Sequence, residues 1–225
     1  MSAIFTPDAA AIGSQNRQPA VLRFLGHLLS FIFHPLFIPT YITAFLLFIH
    51  PSAFVGFNDQ QKALKLTSIF VSSAFFPAFT VFLLKQLRFV ESIFLKTQKD
   101  RIIPIIASMI FYFWIFYVSR NQQQDPAQIK ALLLGVFLSS IAALMANIYF
   151  KVSLHAIAMG GLFIYFILLS IMGDVIPGLY LSIAVFIAGA VCTARLLISD
   201  HHPFEVYAGF LFGMICQAVA IGITS

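Results

Sequence analysis

Long apolar runs separated by short polar breaks dominate the chain, and run length sets the first reading. A helix needs roughly 20 residues to cross the ~30 Å hydrocarbon core of a bilayer. Runs near that length recur at 35–54, 66–84, 102–118, 131–150, 155–172, 179–198 and 204–224. They predict seven spans. No stretch alternates in the manner of a half-buried strand, and helices satisfy their backbone hydrogen bonds internally within lipid. The expected fold is therefore an all-α polytopic transmembrane bundle. A shorter apolar run, 21–33, ends at His34-Pro35, where proline should break any continuing helix. This run predicts an interfacial or re-entrant helix ahead of the first span. Turn-rich breaks at 121–126, 173–177 and 200–203 agree with the remaining boundaries. Residues 1–20 read as a polar tail, with Arg17 its one basic residue and no secretory-signal pattern. Residues 21–225 read as one domain.

Crossing the membrane twice returns the chain to the same face. The connection 85–101, the junction 151–155 and the junction 195–205 are each separated by two predicted spans. All three polar clusters should open on one side, and Lys62, Lys65, Arg120, Lys130, Asp59, Asp125 and Asp174 on the other.

Composition sharpens this picture. Hydrophobic residues make up 60% of the 225, charged residues only 9%, and mean hydropathy is +0.96, far from the ~25% charged residues of soluble domains. The class is integral membrane protein. A net charge of +5, concentrated between apolar runs, suits anionic headgroups or phosphate rather than nucleic acid. Cys192 and Cys216 lie inside apolar runs, where thiols behave as small hydrophobes and no disulfide is expected.

Ionisable residues beside apolar spans call for a reason, since Arg at a helix centre costs about 2.5–3.5 kcal/mol on insertion scales. Arg195, His201 and Glu205 follow the spacing R-x5-H-x3-E. With Arg101, Lys96, Lys99, Lys151, Ser153 and His155 they would form a cationic pocket on the shared face, with guanidinium forks matched to phosphate oxygens. His201 and Glu205 are four apart. A helix beginning at Pro203, a favoured first-turn residue, would place the carboxylate beside the imidazole and fix its tautomer. Structural roles compete at each position: Arg195 as a snorkelling helix end, His155 as an interhelical hydrogen-bonding group, Glu205 as a helix N-terminal carboxylate, and the lysines as an interfacial collar. His27, His34 and His50 read as structural or interfacial, and Gly160-Gly161 and Gly209-x3-Gly213 as close-packing sites.

These residues resemble the type 2 phosphatidic acid phosphatase superfamily, which shares its fold with bacterial acid phosphatases and vanadium haloperoxidases. Its signatures are K-x6-R-P, P-S-G-H and S-R-x5-H-x3-D. The third resembles Ala194-Arg195 through His201 to Glu205, with Ala for Ser and Glu for Asp; His202 is out of register, because Val206 lies four residues on. The second resembles Ser153-Leu154-His155, with Val152 for Pro and Leu154 for Gly. The first is loosest: Arg101 is followed by Ile-Ile-Pro104, and Phe94 holds the lysine position, leaving Lys96 or Lys99 as substitutes. Two spans also separate the first two signatures here, whereas the family joins them without a crossing.

The resemblance implies a lipid phosphate phosphatase without metal or cofactor. In it His201 attacks phosphorus, Glu205 orients His201, His155 protonates the leaving oxygen, and Arg195, Arg101 and Ser153 hold phosphoryl oxygens. A lipid phosphate is the expected partner. Two other readings stay open: an inactive phosphatase-like lipid-binding or transport protein, and a metal or haem protein using His155, His201, His202 and Glu205. Lys and Arg number nine on the site face, tail included, against four opposite, but setting aside Lys96, Lys99, Arg101, Lys151 and Arg195 leaves four on each. Charge alone therefore does not orient the chain. The resemblance implies a periplasmic site in a bacterial inner membrane.

Overall fold

A computed structural model describes residues 19–49, 53–95, 97–171, 178–198 and 201–224. The tail 1–18, Lys96, and the predicted breaks at 173–177 and Asp200 lie outside these residues. In chain order the helices are α1 (Ala20–Ile32), α2 (Ile38–Phe48), α3 (Asp59–Gln86), α4 (Gln98–Asn121), α5 (Ala127–Tyr149), α6 (Leu154–Ile171), α7 (Leu179–Ile198) and α8 (Pro203–Thr224). Six of them, α3 to α8, are long and apolar enough to cross a membrane.

The predicted first span, 35–54, differs. Its helical part, α2, has only 11 residues, ~16 Å at about 1.5 Å per residue, half of what a bilayer core requires. Pro39 sits at the start of α2 and the described chain turns at 53–56, so neither end extends as helix. The short apolar run before it does form a helix. α1 packs against α7, burying Gly26 and Ser30 and leaving Phe24 and Phe31 exposed.

Local chemistry sets the other boundaries. Asn58 caps α3 through a capping box with Gln61, its side chain accepting from Gln61 N at 2.8 Å and its N–H donating to Oε1 at 2.9 Å. Within α3 a π-helical turn, Val71–Phe75, precedes Pro77. Pro77 has no N–H to offer the carbonyl of Ser73, and the Tyr112 hydroxyl donates to that carbonyl instead, at 3.4 Å. Thr97 caps α4 by accepting from Asp100 N at 3.1 Å.

At the centre stands α6, in contact with α2, α5, α7 and α8, with Met159 and Tyr165 fully buried. Its packing on α8 is backbone against backbone. A Cβ added at Gly160 would collide with the Phe210 carbonyl, and one at Gly213 with the Ile157 carbonyl. On the other side of α8, Gln217 donates to the Ala131 carbonyl of α5 at 3.0 Å, across the space Gly135 leaves open.

The two ends of the bundle separate as the span count requires. At one end Lys65 pairs with Asp125 at 2.6 Å, with Gln122 and Ser119 completing the cluster at 2.6 and 2.5 Å. Arg101, Ser153, His155, Arg195 and Glu205 gather at the other. Because α6 and α8 touch through glycine, Gly213→Ala should overpack a backbone contact and cost about 1–3 kcal/mol. A thermal unfolding midpoint unchanged from wild type in detergent would contradict that contact.

Candidate functional site

Four helix ends build the site. Arg101 lies in the first turn of α4, is 8% exposed, and is tied down twice. Its Nε donates to the Leu95 carbonyl and its Nη1 to the Val152 carbonyl, both at 2.9 Å. Leu95 adopts a left-handed backbone conformation, φ 48°, a strained choice for a non-glycine residue that accompanies a carbonyl turned onto the guanidinium. Pro104, one turn along α4 and buried beside Arg101, occupies the same helix face.

The segment leading into α6 joins α4 to α8. Ser153 is fully buried; its N–H donates to the Glu205 carbonyl at 3.3 Å, and its Oγ accepts from Ala156 N at 3.4 Å, capping α6. Gly209 permits this approach, since a Cβ there would lie 2.9 Å from the Ser153 carbonyl oxygen.

Glu205 sits in the first turn of α8, which begins at Pro203 as the sequence leads one to expect. Its Oε2 accepts from His201 Nδ1 at 2.8 Å and from His202 N at 3.2 Å. With Nδ1 carrying the proton, Nε2 is the nitrogen of His201 that bears the lone pair. The pair is buried, His201 4% exposed and Glu205 9%. Burial pushes the His201 imidazole below its ordinary 6.5, the Glu205 hydrogen bond opposes this, and the charges of Arg101 and Arg195 add to the lowering. The neutral ring is favoured at pH 7.

Arg195, in the last turn of α7, is the electrostatic hub. Its charge acts on Arg101, His34, His155 and His201. Glu205 is the counter-charge acting on Arg101. His155, in the first turn of α6, shares Arg195 and His201 as electrostatic neighbours. Its Nε2 lies 3.0 Å from the Ser30 carbonyl of α1; a carbonyl can only accept, so Nε2 carries hydrogen. Lys151 is half-buried beside Ser153, Lys99 is exposed, and Lys96 lies outside the described residues.

His34, expected to be structural or interfacial, lies beside this group. Its ring meets that of His155 edge-to-face, centroids 5.2 Å apart, and its Nδ1 accepts from Leu36 N at 3.4 Å. No spacing rule links residues 121 positions apart. The available signal was a histidine between apolar runs, directly before a proline. Among the described residues, no three His, Cys, Asp or Glu side chains converge to hold a metal ion. Comparisons with family models, with curated proteins and with solved structures find no match.

Burial, then the charge of Arg195, lowers the His34 imidazole from 6.5 to about 4. The unfolded chain therefore binds a proton at His34 that the folded chain refuses. Stability should be full above pH 6.5 and decline as pH falls from 6.5 towards about 4. In thermal melts across that window, His34→Gln should flatten the decline. An identical pH dependence in wild type and variant would contradict the assignment.

Proposed function

We propose that this chain is a membrane lipid phosphate phosphatase, hydrolysing a phosphomonoester or pyrophosphate of an amphiphile through a phosphohistidine and without a metal step. The observation that carries the proposal is the buried His201–Glu205 pair at 2.8 Å, set beside two arginines and a second histidine where three distant stretches of chain converge. The order and spacing of those stretches resemble the signatures of the type 2 phosphatidic acid phosphatases.

The lipid phosphate lies against Arg195 and the remaining donors of Arg101, which suit the equatorial oxygens of a loose phosphoryl transition state. His201 Nε2 attacks phosphorus in line, forming the P–N bond as the P–O bond to the leaving group breaks. The electron pair goes to the leaving oxygen, and a proton follows it from Nδ1 of His155, a ring that is neutral at rest and takes this proton from the monoanionic phosphate of the bound substrate. Glu205 holds the Nδ1 proton of His201 and stabilises the cation that forms. Water then attacks phosphorus, the neutral His155 takes its proton, and His201 is released. Ser153, its Oγ already capping α6, acts through backbone placement. Lys151 and Lys99 attract the headgroup from the rim. The site faces the periplasm of a bacterial inner membrane, and the apolar tail stays among the helices.

One observation favours a second reading, a lipid-binding or transport protein without turnover. Nε and Nη1 of Arg101 and Nε2 of His155 all serve backbone carbonyls. The two readings part on a single assay. Purified protein should release phosphate from phosphatidic acid, phosphatidylglycerol phosphate or a polyprenyl diphosphate in EDTA, with vanadate inhibiting. His201→Ala should abolish release while the protein remains folded, and full activity in that variant would end the proposal. Glu205→Gln should slow turnover by about 10²–10⁴-fold, with Glu205→Asp tolerated; an unaffected Gln variant would confine Glu205 to structure. Because burial and arginine lower His201, kcat/KM should hold down to pH 6.5 and fall only below it.

A further inference from the structure

The N-terminal helix contributes to the site through one narrow contact. Gly26 and Ser30, four apart on α1 and both buried, form the face that meets α7. At Gly26 an added Cβ would stand 2.8 Å from Cγ2 of Ile198, so the close approach of α1 depends on glycine. One turn further, the carbonyl of Ser30 reaches Nε2 of His155 at 3.0 Å. His34 follows where α1 ends, and its ring closes on the same imidazole edge-to-face at 5.2 Å. His155 is thus gripped by α1 and the α1–α2 junction, 125 residues distant along the chain. The charged or titratable groups acting on it are Arg195, His34 and His201.

We propose that Ser30 and His34 are positioning residues that hold His155 with its proton on Nε2, leaving Nδ1 as the nitrogen that exchanges a proton with the phosphoryl leaving group. α1 is then a working wall of the site and not simply a membrane-surface helix. The chemical role rests on the phosphatase reading, but the positioning does not. A ring whose two nitrogens are interchangeable presents the wrong one for part of the time, and a carbonyl on Nε2 removes that choice. The same carbonyl stabilises the ring when it becomes doubly protonated. His34 adds lateral restraint, and because it stays neutral near pH 7 it brings no like charge against that cation.

The test uses full-length protein in nanodiscs, labelled with ¹⁵N-histidine, with the His155 signals assigned through His155→Gln. Wild type should show neutral His155 protonated on Nε2. His34→Ala should convert this to a tautomer mixture and lower kcat about ten- to a hundredfold, leaving KM within about twofold; His34→Phe, which keeps an aromatic edge, should restore the single tautomer and most of kcat. Gly26→Leu, which pushes α1 off α7, should also mix the tautomers while His34 remains. A wild-type His155 protonated on Nδ1, or an unchanged single tautomer in both His34→Ala and Gly26→Leu, would overturn the proposal. Absence of phosphate release from the wild type would instead fail the phosphatase reading, while the nitrogen spectra still decide the positioning.

Discussion

The backbone contact between α6 and α8 is the constraint on which the site depends. Gly160 and Gly213 let the two helices meet without intervening side chains, and Gly209 extends that approach to the mouth of the bundle. Only at such a distance can Ser153 N–H reach the Glu205 carbonyl. That bond sets the start of α6, which carries His155, against the start of α8, which carries the His201 couple. Small residues give transmembrane helices this freedom, because lipid supplies no hydrophobic force to compensate for poor packing. The placement of the cluster thus originates in glycines that carry no side chain into it.

Electrostatics then determines what the assembled site can hold. Two guanidiniums brought close at a membrane boundary repel, and each must replace lost hydration with fixed acceptors. Arg101 does so with two carbonyls, one from a loop residue in left-handed conformation and one from the segment before α6. Glu205 neutralises one charge, and its bonds to His201 and His202 N already use one of its oxygens.

Much of this was legible in the sequence, for physical reasons. Span length and hydropathy are local, so six helices appear where apolar runs predicted them. The His201–Glu205 pair was legible because four residues across a helix start is a fixed distance, and Pro203 marks that start. The parity of crossings placed Arg101, His155 and Arg195 at one end without any tertiary information. What escaped was non-local or below the length scale of a span. Residues 35–54 are apolar enough to cross, yet prolines and a turn reduce the helix to 11 residues. His34 and Ser30 carry no motif, and their importance comes from a backbone carbonyl and a ring edge that exist only after α1 folds onto α7. Lys99, read as a collar residue or a phosphate ligand, is exposed, and the buried basic group of this stretch is Arg101 with its carbonyl acceptors.

The opposite end of the bundle is held together differently. There Lys65 and Asp125 form a one-to-one pair, 10% and 0% exposed, with Ser119 and Gln122 taking up further hydrogen bonds. The cluster fastens α3 to the α4–α5 turn. At the site end the described groups include the guanidiniums of Arg101 and Arg195, the imidazole of His201 and the carboxylate of Glu205. There the carboxylate is committed to an imidazole, Glu205 Oε2 accepting from His201 Nδ1 at 2.8 Å, so the same kind of buried acid that fastens helices at the far end instead orients a titratable ring.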